Sequence, residues 1–184
     1  MLGYHGCDAA VARRLLNGSA FRKSQNDYDW LGHGIYFWEA NPRRGLQWAR
    51  RLAKKPGSKI KKPDVIGAVI DLRQCLDLTT TAGIEQVRIA YGRLAAMTEV
   101  AGAPLPKNSA DLLARRLDCA VINTLHDARA VEGLNPIDTV RGVFIEGEEA
   151  FPSSGFMTQT HVQICVCNPD CIRGVFRVPR SDLA

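Results

Sequence analysis

Strand-like segments stand at both ends of this chain and helical ones fill its middle, and this distribution constrains the fold more than any other feature. Strands so far apart in sequence must meet in one sheet system to bury their apolar faces. Residues 2–5 read as a short strand and 8–17 as a helix that Asp8 caps and Gly18 ends. A polar loop through Ser24-Gln25-Asn26-Asp27 leads to residues 34–38, whose aromatic and branched side chains favour a strand. Asn41-Pro42 then supplies a cap with proline at the first helical position, opening a helix to about Ala53. Residues 54–63, with Pro56, Gly57 and Pro63, form a loop, and 65–72 a strongly apolar strand.

In the middle, the spacing of Ile84, Val87, Tyr91, Leu94 and Met97 predicts a buried amphipathic helix over 83–100. A second helix is expected over 109–117, capped by Ser109, and strands over 119–122 and 140–145 flank a short helix near 124–131. Residues 146–160 make a long loop, and loops of that length in compact domains are often functional. Residues 161–167 and 171–177 close the chain as two strands joined by the Asn168-Pro169-Asp170 turn. The pattern is α+β, and 184 residues suit one domain spanning 1–184.

No apolar run approaches the roughly 18–20 residues of a membrane helix, and the amino terminus lacks a signal-peptide pattern, so a cytoplasmic protein is expected. The six cysteines are then expected as reduced thiols. Cys165, Cys167 and Cys171, with His161 before them, invite comparison with a zinc site, but they crowd into one strand and its turn. Buried small thiols are the better reading, and no metal is expected. Charge is uneven: residues 1–62 carry 13 Lys and Arg against 4 acids, a net +9, within a chain whose total is +5. The excess concentrates in Arg43, Arg44, Arg50, Arg51, Lys54, Lys55, Lys59, Lys61 and Lys62, either a patch for phosphates or a solvated helix face and loop.

Taken singly, His5 or the aromatics at 36–38 are as compatible with an ordinary core as with a site. Their order is more informative. Tyr4-His5-Gly6, a helix, a polar loop, then Gly34-Ile35-Tyr36-Phe37 and another helix resembles the ADP-ribosyltransferase superfamily, in the His-Tyr-Glu branch shared by diphtheria-type toxins and poly(ADP-ribose) polymerases. The resemblance covers residues 4–53 best and 140–177 less closely. It implies a split antiparallel β-sheet sandwich with flanking helices and a helical middle insertion, binding NAD in the cleft between sheets.

By that resemblance His5 binds the adenosine ribose, the Gly6 backbone grips the nicotinamide carboxamide, and Tyr36 stacks on the nicotinamide ring. Gly34 and Phe37 belong to the same cofactor-binding stretch, Gly34 with Gly32 letting the loop turn tightly beside the ligand. The family's late-strand glutamate falls on Gln163, a departure, because a carboxylate normally supports the oxocarbenium-like state formed as nicotinamide leaves. His161, on the same strand face, is a candidate to orient or deprotonate an acceptor, or else an exposed strand residue. Glu146 is the first choice for a compensating carboxylate among Glu146, Glu148 and Glu149. The implied reaction is mono-ADP-ribosylation of a macromolecular acceptor, single-stranded nucleic acid favoured slightly over protein because of the basic amino-terminal third. By analogy with the family such a protein would be a bacterial toxin or anti-phage effector, with room for an antitoxin or neutralising partner. An NAD glycohydrolase, a catalytically silent binding module and an RNA 2'-phosphotransferase, whose related fold carries a basic catalytic set not located in this sequence, are the rival readings.

Overall fold

Alternation along the first strand sets the two faces of the sheet. In β1 (Leu2–Asp8), Gly3, His5 and Cys7 point one way and Tyr4 and Gly6 the other. Cys7 packs with Ala12 and Leu15 of α1 (Ala9–Leu16). On the opposite face a Cβ at Gly6 would lie 2.1 Å from the Gly45 carbonyl of α2 (Pro42–Ala53), so the missing side chain is what lets α2 seat on β1. Both helices start as their sequences predict. The Asp8 carboxylate accepts from Ala10 N at 2.8 Å, and the Asn41 side chain accepts from Arg44 N at 3.0 Å ahead of Pro42.

The computed structural model describes residues 1–183, and its remaining elements are β2 (Ile35–Glu39), β3 (Pro63–Ile70), β4 (Cys75–Asp77), α3 (Thr81–Val100), α4 (Arg116–Val131), β5 (Thr139–Phe144), β6 (His161–Val166) and β7 (Ile172–Arg177). The fold is α+β, with seven strands in the order β4-β5-β6-β2-β1-β3-β7. All pairs are antiparallel except β4 with β5 at one edge. A Cβ at Gly3 would lie 2.5 Å from Ile70 Cδ1 and 2.9 Å from Phe37 Cβ, so side chains of β3 and β2 meet above β1. Ile35, Phe37, Ile164 and Val166 from one half form a single cluster with Ala68 and Ile70 from the other. On the other face, α3 and α4 cover β5 and β6 through Ala90, Val121, Ile122, Leu125, Val140 and Cys165.

Four expectations fail, each for a physical reason. Residues 109–114 form a turn in which the Ser109 hydroxyl accepts from Ala114 N at 2.9 Å and Leu112 has φ +54°, so the helix begins only at Arg116. Residues 119–122 lie inside α4: Cys119, Ile122 and Leu125 recur at helical spacing, which overrides the strand preference of the Val121-Ile122 pair. In α3 the period was right but its phase was not. The buried stripe is Gly83, Ala90 and the partly buried Val87 and Leu94, whereas Ile84, Tyr91 and Met97 are 47%, 44% and 63% exposed. Finally, β6 and β7 do not pair. After Asn168, a single 3-10 turn (Pro169–Cys171) buries Cys171 among the inter-sheet residues, and the chain crosses to the far edge to pair with β3. The short edge strand β4 was not anticipated, and β3 spans Pro63–Ile70 rather than 65–72.

Candidate functional site

The β1–β2 ladder holds only two registered pairs, Gly3 with Glu39 and Tyr4 with Trp38. Beyond Tyr4, β1 stays with β3, pairing His5 with Ile66 and Gly6 with Val65, while β2 stays with β6, pairing Tyr36 with Cys165. The two half-sheets therefore part at His5 and Gly6. One hydrogen bond spans the opening, from His5 Nδ1 to the Tyr36 carbonyl at 2.9 Å. A carbonyl only accepts, so Nδ1 carries the proton and Nε2 is left as an acceptor. Burial lowers the His5 pKa against the opposing effect of this bond, and the ring is neutral at pH 7. Phe21 and Phe37, with ring centroids 5.5 and 5.6 Å away, fix its plane.

Tyr36 is half-buried against the helical cluster, its hydroxyl donating to the Gly32 carbonyl at 2.8 Å and accepting from Leu31 N at 2.9 Å. Burial raises its pKa, so the hydroxyl stays protonated and acts as a tie for the loop ahead of β2. Gly34 is confined by β6: a Cβ there would lie 2.4 Å from Cys165 Sγ. Phe37 is wholly buried between the half-sheets. The structure thus brings the His5 ring to the Tyr36 carbonyl where the half-sheets part, with Gly6 next to it on β1, while the Tyr36 ring packs on the helical cluster and the His5 ring lies against the inward-turned Phe37.

Gln163 lies on β6 opposite Trp38. The Trp30 indole N–H donates to Gln163 Oε1 at 2.7 Å. Because indole nitrogen is a donor only, this bond fixes the amide with its oxygen on Trp30 and its NH2 left to act. The Arg115 guanidinium covers Trp30 and Phe144 at 4.9 and 4.4 Å from their centroids. Neither Trp30 nor Arg115 could be found from sequence, since 133 residues separate Trp30 from its partner and no local pattern marks either.

Farther along the same face, His161 is buried, stacked on Phe144 at 5.3 Å, with Nδ1 donating to the Gln159 carbonyl at 2.7 Å. Burial lowers its pKa and keeps it neutral. Glu146 is engaged by α2: Arg44 Nη2 donates to one carboxylate oxygen at 2.5 Å and Arg51 Nη1 to the other at 2.7 Å. Burial alone would raise the Glu146 pKa, but Arg51 and Arg44 outweigh it and hold the group below its ordinary value. This acid is thus paired with cations and makes no hydrogen bond to Gln163. Next to it lie three buried polar atoms without partners among the described residues: His161 Nε2, Arg44 Nε and Trp38 Nε1, the Trp38 and His161 rings being 6.3 Å apart.

The residues compared above with a zinc site are dispersed. Cys165 joins the helical cluster, Cys171 the inter-sheet cluster, and His161 lies at the other end of β6. Among the described residues no group of three or more His, Cys, Asp or Glu is placed to hold a metal ion. No helix among them is long and apolar enough to cross a membrane.

No family model matches the chain, and no solved structure matches it. It is similar to the uncharacterized protein MJ0359 of Methanocaldococcus jannaschii, 26% identical over 188 residues that take in 92% of this chain and 83% of that protein.

Proposed function

We propose that this chain is an NAD-dependent mono-ADP-ribosyltransferase of the cytoplasm, with the split-sandwich architecture of that superfamily and its nicotinamide pocket at the opening between β1 and β2. The observation that carries the reading is His5: its Nδ1–H is committed to the Tyr36 carbonyl and its ring is neutral, which leaves Nε2 the acceptor we assign to a ribose hydroxyl. Gly6 lies on the stretch of β1 whose β2 side is unpaired, which leaves backbone groups for a carboxamide. The ring of Tyr36 offers a flat apolar face while its hydroxyl is occupied elsewhere. In this mechanism the C–N bond between nicotinamide and ribose breaks, nicotinamide leaves neutral, and the acceptor nucleophile attacks the ribose from the opposite face. Gln163 supplies its NH2 to a nicotinamide-ribose oxygen.

The acceptor we favour is single-stranded nucleic acid. Arg43, Arg50, Arg51, Lys54, Lys55, Lys59, Lys61 and Lys62 are exposed, with only Arg44 of the basic group buried. A toxin or anti-phage role is the cellular context such an activity suggests. One observation favours a slower, glycohydrolase-like or silent site instead: Gln163 brings no negative charge, and Glu146 is already neutralised by two arginines. Incubation with labelled NAD and cell lysate, followed by separate nuclease and protease digestion, decides between these. Label freed by nuclease supports the proposal. Nicotinamide release without labelled macromolecule selects the glycohydrolase, and no release even with RNA, DNA and protein present overturns the enzyme. His5→Ala is expected to lower nicotinamide release by at least about 100-fold while leaving the circular dichroism spectrum unchanged.

A further inference from the structure

A cleft of about 600 Å³ lies at the other end of β6, where that strand meets α4 and the loop before β2. Cys167 and His126 line it together with Asn123, Lys23 and His33, and none of these belongs to the site described above. Cys167 Sγ stands 3.7 Å from His126 Nε2. Cys167 N donates to the Asp138 carbonyl at 2.8 Å, which fixes the backbone, and the half-buried Cys167 lines the cleft beside His126. Asn123 ties α4 to the opposite wall through its bond to His33 N at 3.1 Å.

From this geometry we infer that Cys167, paired with His126, is a nucleophilic thiol site that exchanges with low-molecular-weight disulfides bearing carboxylates. The thiolate attacks one sulfur of the disulfide. A Cys167–S–S–R bond forms, the R–S–S–R bond breaks, and the departing thiolate leaves as R–SH with the proton that Cys167 gave up. His126 is the near donor of that proton, and the exposed Lys23 ammonium at the rim faces the carboxylates of the incoming molecule. The other thiols are poor competitors. Burial pushes Cys75, Cys119, Cys165 and Cys171 up and Cys7 to about 12, whereas the neighbouring Cys165 thiol, then His126, hold Cys167 well below the ordinary thiol range. The inference does not depend on NAD chemistry, since the pair would react whether or not the β1–β2 opening binds a nucleotide.

The test uses the full chain and glutathione disulfide. Intact mass should show one glutathione added, peptide mapping should place it on Cys167, and Cys167→Ser should abolish it. Alkylation by iodoacetamide should keep its rate down to well below pH 8, and His126→Gln should slow it about tenfold at pH 7 with little effect at pH 9.5, where a thiol ionises unaided. Lys23→Gln should lower the rate with anionic iodoacetate more than with neutral iodoacetamide. Thermal melting of each variant confirms that the fold is kept. No adduct, an adduct on another cysteine, or a pH midpoint for Cys167 at the ordinary thiol value would overturn the inference.

Discussion

At the residue scale, two side chains have roles that their sequence context left undivided. Tyr36 presents a ring and a hydroxyl to different tasks, the hydroxyl being held by Leu31 and Gly32. Tyr36→Phe should therefore cost roughly 1–2 kcal/mol of stability, read as a lowered denaturation midpoint, while nicotinamide release stays within about threefold of the parent. A collapse of release in that variant with the fold intact would assign the hydroxyl a direct part in binding. Gln163 offers the converse case. Trp30 already donates to its oxygen, so Gln163→Glu keeps a partner for that oxygen and adds a negative charge beside the leaving nicotinamide. Nicotinamide release should rise by about tenfold or more. An unchanged or lower rate would mean that the ribose does not sit against Gln163.

At the scale of elements, what was legible depended on whether the signal was local. The caps at Asp8 and Asn41 and the proline start of α2 are each written within a few residues and stand where the sequence placed them, and the aromatic and branched run of β2 lies within one residue of its expected span, whereas β1 extends to Asp8 beyond the expected residues 2–5. The hairpin expected between β6 and β7 failed because strand order is a tertiary choice: the turn buries Cys171 between the half-sheets, and β7 pairs with β3 at the far edge. The candidate site divides the same way. His5 meets the Tyr36 backbone beside Gly6, whereas the partners of Gln163 and Glu146 come from Trp30 and from α2 and carry no local mark.

The clamp of α2 on the loop after β5 has a pH signature. Glu146 has a folded-state pKa held below its ordinary value of about 4.3, so its contribution is fully present above that value and is lost as pH falls through the folded-state pKa. Glu146→Gln leaves Arg44, only 6% exposed, without its counter-charge, and should cost roughly 3 kcal/mol at pH 7. Urea midpoints of parent and variant should converge as pH is lowered toward 3. A gap that stays constant across that range would show that Arg44 and Arg51 do not stabilise the carboxylate.

For the whole molecule, the question is what the asymmetric charge does. The cations lie on the outer side of α2 and on the loop of residues 54–62, which runs from α2 on one face of β1 to the start of α1 on the other. That loop is anchored through its own backbone and not its lysine side chains: Lys61 N and Lys62 N donate to the Asp8 carboxylate at 2.8 and 2.9 Å, and the Lys62 carbonyl accepts from Ala9 N at 2.8 Å. The side chains of Lys59, Lys61 and Lys62 are exposed and carry no ion pair among the described residues, so they can be replaced without disturbing the anchor. If this surface gathers single-stranded nucleic acid, each cation that neutralises a phosphate releases counterions, contributing about 0.7 to the slope of log affinity against log salt. Replacing Lys59, Lys61 and Lys62 together by glutamine should then lower that slope by about 2 and weaken binding to a single-stranded RNA at low salt. Nicotinamide release in the absence of an acceptor should be unaffected, because the substituted groups lie away from His5 and Tyr36. Equal affinity and equal slope in parent and variant would remove nucleic acid from this surface and return the acceptor to protein.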